Sequence, residues 1–149
     1  MKILMVCLGN ICRSPLAEGI LVHKTQHLNI KVDSAGTAGY HIGKLPDERS
    51  IEIAEKYNID LTKQRARQFS RADFDDFDII YAMDTNNYAH LISLANNETE
   101  RNKVRLILNE VNPEKFESVP DPYYGGDDGF QNIYNMLDDA CNKIISQIE

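Results

Sequence analysis

The chain has no long hydrophobic run, no surplus of basic residues and only three cysteines among 149 residues, and each shortage removes a class of function. No apolar segment approaches the roughly 20 residues a bilayer-crossing helix needs, so no membrane partner is expected. The apolar stretch at 3–6 is too short for a secretory leader and runs straight into a polar loop. With 16 Lys and Arg against 23 Asp and Glu the formal net charge is -7, whereas nucleic-acid partners are met by basic stripes. Three cysteines, an odd number without a disulfide framework, fit a reducing compartment, and the cytoplasm is the expected location. His23, His27, His41 and His90 are scattered without ligand spacing, so neither a zinc nor a two-metal site is expected, and no cofactor. Repeats and low-complexity tracts are lacking. The length suits a single domain over 1–149, working as a monomer.

What is present is concentrated near the start. An apolar run at 3–7 ends in Cys7-Leu8-Gly9-Asn10-Ile11-Cys12-Arg13-Ser14-Pro15. A strand feeding a short Gly-containing loop into a helix start aims several backbone N–H groups at one point, which makes an anion site. A thiol inside such a site is favoured as thiolate, a strong nucleophile. An Arg at the far end of the loop can lay its planar fork across two phosphoryl oxygens. Cys7 is the candidate nucleophile and Arg13 the candidate phosphate clamp. Cys7 alone would suit a small buried hydrophobe; Gly9, Asn10, Arg13, Ser14 and Pro15 argue against that. Because the net charge repels anions, attraction must be local, with Arg49, Arg65, Arg67 and Arg71 either contributing or standing as ordinary solvated charges.

The elements alternate. Residues 3–7 suit a buried strand, 15–28 an amphipathic helix with Pro15 at its first position, and 30–34 a second strand. A helix is expected over 46–57 and a short one over 71–76, where Ser70 and Asp73 form a possible capping pair. A third strand falls at 78–83, then a helix capped by Asp84 or Thr85 and running to residue 95. The fourth strand is expected at 103–108. A long terminal helix carries an apolar stripe from Phe130 to Ile148. Alternating strands and helices imply an α/β fold of three layers, a parallel sheet with helices on both faces and functional loops at the strand C-terminal ends. The run Asp73, Asp75, Asp76 and Asp78, interleaved with Phe, reads as a solvated edge with apolar anchors rather than a metal site.

A thiolate that displaces an alkoxide or phenoxide from phosphorus needs an acid to protonate it. Asp121, in Val119-Pro120-Asp121-Pro122-Tyr123-Tyr124-Gly125-Gly126, is the candidate, held between two stiffening prolines. Tyr123 and Tyr124 offer flat apolar walls with polar tips, suited to gripping an aromatic leaving group.

Taken together, Cys7 to Pro15, Ser34-Ala35-Gly36-Thr37, Ala66-Arg67-Gln68, Ala82-Met83-Asp84 and Asp121 to Tyr124 closely resemble the low-molecular-weight protein tyrosine phosphatases over essentially the full length. The resemblance implies a central four-stranded parallel sheet, phosphotyrosine-containing proteins as substrates, and inorganic phosphate as product and inhibitor. It implies a phosphocysteine on Cys7, with the phosphate-binding loop at Leu8, Gly9, Asn10, Ile11, Cys12 and Arg13. Asp121 would act first as acid and then as base for water. Asn10 and Ser34 would brace the loop, and the Ser14 hydroxyl would bond the Cys7 sulfur. Cys12 would pair with Cys7 under oxidation, shielding it from irreversible damage. Tyr40 stands where the family often has Trp beside the pocket, and Gln64 where some members have a His that buttresses the loop Asn. An amide can bond there but cannot titrate.

Rival functions share parts of this pattern. An arginine phosphatase on the same scaffold commonly has Thr where Ile11 stands, and Ile11 with the paired tyrosines favours an aryl phosphate. A thiol-dependent arsenate reductase needs relay cysteines, which 83–97 lacks. A phosphocarrier would need neither Arg13 nor Asp121, and a phosphopeptide-binding module would normally lose the nucleophile or the acid.

Overall fold

The structure is a computed structural model that describes residues 1–122 and 128–148. Four parallel strands, β1 (Lys2–Cys7), β2 (Lys31–Gly36), β3 (Ile79–Ala82) and β4 (Val104–Leu106), lie in the order β2-β1-β3-β4. The helices are α1 (Arg13–Lys24), α2 (Glu48–Glu55), α3 (Ala72–Asp76), α4 (Thr85–Leu94), α5 (Glu98–Lys103) and α6 (Asp128–Ile148). A 3₁₀ turn (Ile107–Glu110) follows β4.

Residues 3–7 of β1 are all buried, as a central parallel strand covered on both faces requires. Alternate side chains serve opposite cores. Ile3, Met5 and Cys7 join a core with Leu16 and Ile20 of α1 and Ile133, Leu137 and Ile144 of α6. Leu4 and Val6 join the other, with Phe69, Phe74, Phe77 and Leu91. The stripe on α6 is buried at Phe130, Ile133, Tyr134, Leu137, Ala140, Cys141 and Ile144, three or four residues apart as one helical face demands.

Several boundaries depart from the sequence expectation. Helix α1 starts two residues earlier, so Pro15 is its third residue, a position where the N–H that proline lacks would have no intrahelical partner in any case. It ends at Lys24, because the Thr25 hydroxyl donates to Leu21 O and Leu28 N closes a separate turn onto Thr25 O. Strand β4 is three residues long, and Lys103 belongs to α5 instead. Asp73 is buried rather than solvated: it accepts from Ser70 N and Arg67.

The chain leaves β1 for β2 on one side and later enters β3 on the other. The C-terminal end of β1 is therefore the point where strand order reverses, and a crevice opens there. Cys7 is its last residue.

Candidate active site

Residues 8–12 link β1 to α1, and four carbonyls along 7–12 are tied to the surrounding framework. Cys7 O accepts from Thr37 N, Leu8 O from Ala38 N, Ile11 O from Asp47 N and Cys12 O from the Ser50 hydroxyl. In a trans peptide the C=O and the following N–H point in opposite senses. These bonds consequently turn the amides of Leu8, Gly9, Cys12 and Arg13 toward the concave side of the loop. The loop also lies tightly against β2, since a Cβ on Gly36 would come within 2.7 Å of Leu8 O.

Asn10 has φ +58°, a left-handed conformation that Asn tolerates better than most residues. Its side chain is fully engaged: Nδ2 donates to Ser14 Oγ at 2.8 Å and Ser34 Oγ at 3.0 Å, and Oδ1 accepts from Arg67 N at 3.0 Å. The Ser14 hydroxyl lies 3.0 Å from Cys7 Sγ. Gln64 plays no part in this bracing; its Nε2 donates to Pro15 O, and its Oε1 is buried without a partner.

Arg13 follows the loop with only 4% of its side chain exposed. Its Nη1 donates to Asp84 Oδ2 at 2.6 Å and to Val119 O at 2.9 Å, while Nη2 lies 3.9 Å from Asp121 Oδ2. Asp84 does double duty, since its Oδ1 caps α4 by accepting from Asn87 N. Val119 N donates to Met83 O. That clamp fixes the segment carrying Asp121 against the end of β3, over the loop.

A cavity of about 300 Å³ is lined by Cys7, Leu8, Gly9, Ile11, Cys12, Arg13, Tyr40, His41 and Asp121. Nucleophile, cation and carboxylate candidates thus converge, with inward amides at the base. Such a set can bind a phosphoryl group, attack it and protonate the departing oxygen. Burial, then the charges of Asp47, Cys7 and Asp121, push the Cys12 thiol up to about 12, so it stays protonated beside its neighbour. Tyr40 is largely exposed at the mouth and meets the His41 ring edge to face. Tyr123 and Tyr124 lie outside the described residues.

Residues 2–149 match the family described as low molecular weight phosphotyrosine protein phosphatase. The chain belongs to that family. The phosphatase of this name from Schizosaccharomyces pombe is 39% identical, the alignment covering 99% of this chain and 96% of the relative. The crystal structure of a protein tyrosine phosphatase from Entamoeba histolytica superposes with a TM-score of 0.91 at 38% identity, over 99% of this chain and 96% of the other. A Drosophila arginine phosphatase superposes with a TM-score of 0.92 at 32% identity, over 100% and 98%.

Within this phosphatase fold, sequence reasoning missed several groups that contact the expected residues. Asp84 was visible as a helix cap and within Ala82-Met83-Asp84, without its contact to Arg13, and His41 only as one of four scattered histidines. Arg67 is no part of the cavity: it is ion-paired to Asp33 and Asp73. Arg71 is held by Glu100, and Arg65 donates to the Thr62 and Gln64 carbonyls. Arg49 pairs with Asp47 next to the loop. Among the described residues no three of His, Cys, Asp and Glu cluster as a metal ion requires, and no helix is long and apolar enough to cross a membrane.

Proposed function

We propose that this enzyme hydrolyses phosphotyrosine in protein substrates by two displacements at phosphorus. The observation that carries the proposal is the convergence of Cys7, Arg13 and Asp121 on one cavity. The Cys7 thiolate attacks phosphorus and the bond to the phenolic oxygen breaks. Asp121 gives that oxygen its proton. Arg13 and the loop amides hold the three equatorial oxygens, where charge accumulates in the transition state. Asp121, now a carboxylate, takes a proton from water as the water oxygen displaces Cys7. Inorganic phosphate leaves and the thiolate is restored. Phosphate can rebind the same cradle, making it an inhibitor as well as a product.

No step requires a metal or cofactor, because nucleophile, electrostatic clamp and acid are all side chains. In this reading the enzyme acts as a monomer, its 149 residues forming one phosphatase domain. Three buried free cysteines suit the reducing cytoplasm. Neither nucleic acid nor membrane enters the scheme. Ile11 and Tyr40, which line the cavity, form the wall against the aryl ring. Cys12 guards Cys7 by forming a disulfide when Cys7 is oxidised.

Arginine phosphatase activity is the second possibility, supported by the fold match to the Drosophila enzyme. The apolar Ile11 side of the cavity suits an aryl ring better than a guanidinium. Turnover of matched phosphotyrosine and phosphoarginine peptides tests the choice. The phosphotyrosine peptide is expected to be the better substrate, and preference for phosphoarginine overturns it.

A further inference from the structure

The hydrogen-bond partners around Asn10 fix where each proton lies, and they extend the site beyond the cavity. Asn10 Nδ2 donates to both Ser14 Oγ and Ser34 Oγ. Each hydroxyl therefore accepts from Asn10 and must send its own proton elsewhere. For Ser14 the near acceptor is Cys7 Sγ at 3.0 Å, with Ala35 O farther off at 3.5 Å. For Ser34 it is Glu18 Oε1, at 2.6 Å. Donated hydrogen bonds thus run outward from the Asn10 amide in two directions, through Ser34 to the Glu18 carboxylate and through Ser14 to the sulfur.

We propose that Glu18 is a positioning residue for the phosphate-binding loop, its carboxylate orienting Ser34 so that Ser34 holds Asn10 in the left-handed conformation the loop requires. This rests on residues 7–13 being the working anion cradle.

Three physical points support it. A hydroxyl-to-carboxylate bond is charge-assisted and roughly twice as strong as a neutral one, and it polarises the next bond along. Left-handed backbone at a residue other than Gly persists only where its surroundings over-determine it, and Ser34 is one of three groups holding the Asn10 side chain. Glu18 is also poised to change state, since burial, opposed by the Ser34 bond, pushes its carboxyl up to about 7. Asp33 on β2 adds to that rise and Arg67 opposes it. Asp60 and Lys63, from the segment after α2, and His23 on α1 itself share with Glu18 a cavity of about 350 Å³. Protonating Glu18 turns the Ser34 bond neutral and loosens the grip on Asn10.

Charge alone predicts the opposite result. A carboxylate near an anion site weakens anion binding through space, so ionising Glu18 would loosen the cradle unless the relay dominates. Sulfate, which stays a dianion throughout, is the probe, titrated calorimetrically into Cys7→Ser protein between about pH 5.5 and 8.5, where no Cys7 ionisation intervenes. His41, on the cavity wall, is common to every variant, so the comparison cancels it.

Adding Glu18→Gln is expected to weaken sulfate binding about fivefold at pH 8 and to leave it unchanged at pH 5.5. Adding Ser34→Ala is expected to weaken it at both pH values and to abolish the Glu18-dependent difference between them. Equal or tighter binding by Glu18→Gln at pH 8 overturns the proposal. So does a Ser34→Ala protein that keeps the wild-type pH response, which decides the matter even if Glu18→Gln fails to fold. Sulfate affinity reads the loop directly, so loss of the relay is separable from a wrong assignment of the hydrolysed substrate.

Discussion

Asp84 Oδ2 meets Arg13 Nη1 at 2.6 Å while Asp84 Oδ1 caps α4, so one carboxylate ties the proposed phosphate clamp to the start of that helix. Asp84 is only 19% exposed at its side chain and Arg13 4%. Removing the acid leaves a buried guanidinium without its nearest anion, and Arg13 is then free to turn toward Asp121. Asp84→Ala is expected to destabilise the protein by about 3 kcal/mol, from the broken pair together with the lost cap. Asp84→Asn keeps the cap and should cost less. Both are expected to lower kcat more than they raise KM, because the clamp matters most as charge builds on the equatorial oxygens. Denaturant unfolding and steady-state kinetics check the two halves; an unchanged kcat in Asp84→Ala contradicts the positioning role.

Asp121 has a narrower task, and its loss should depend on the leaving group. Asp121→Asn is expected to slow hydrolysis by about 10²- to 10⁴-fold, the usual contribution of a general acid. The loss should shrink for aryl phosphates whose phenols are acidic enough to depart unassisted. A rate series across substituted aryl phosphates checks this, and a loss independent of phenol acidity removes Asp121 from proton transfer.

Cys12 sits where a peroxide challenge can report on it. The Cys12 thiolate attacks the sulfenic sulfur of peroxide-oxidised Cys7, hydroxide leaves and takes a proton from solvent, and the disulfide forms. Because the Cys12 thiol is pushed up to about 12, the attacking thiolate is scarce at neutral pH and disulfide formation should quicken as pH rises. Wild-type protein is expected to regain activity with a thiol reductant after peroxide, and Cys12→Ser to lose it permanently. Equal recovery in both proteins rules the guard out.

Glu18 predicts an inverse relation between stability and function. Its carboxyl ionises near its ordinary value of 4.5 when unfolded and at about 7 when folded. Between those values the unfolded chain holds fewer protons than the native one, so stability falls as pH rises through the window. Glu18→Gln should therefore gain on wild type by up to ~3 kcal/mol from about pH 4 to pH 8. Unfolding curves at both pH values measure the gain. A variant that loses ground at pH 8 assigns Glu18 a plain structural role.

How much was legible in the sequence follows from where each signal resides. The loop from Cys7 to Arg13 could be proposed from the sequence because candidate nucleophile, glycine and cation are neighbours in the chain, and Asp121 because the proposed chemistry demands an acid and the prolines flag its loop; the structure brings Cys7, Arg13 and Asp121 to one cavity. The contacts of Asp84 and Glu18 were hidden: their partners lie 71 and 16 residues away, and only the folded sheet brings them together. The stripe on α6 announced that helix, whereas α5 buries no residue and left no periodicity to find. The end of α1 was misjudged because Leu28 continues the apolar spacing past the point where Thr25 closes the helix.

The central claim is that phosphate passes through a covalent bond to Cys7, and rapid acid quench of turnover on a phosphotyrosine peptide tests it most directly. Asp121→Ala slows phenol departure as well as the water step, so with an aryl phosphate whose phenol leaves unassisted in place of the peptide the intermediate should accumulate, and peptide mapping is predicted to find the phosphate on Cys7 and none in the Cys7→Ser protein. Turnover with no phosphoenzyme, or phosphate carried on any other residue, contradicts the account.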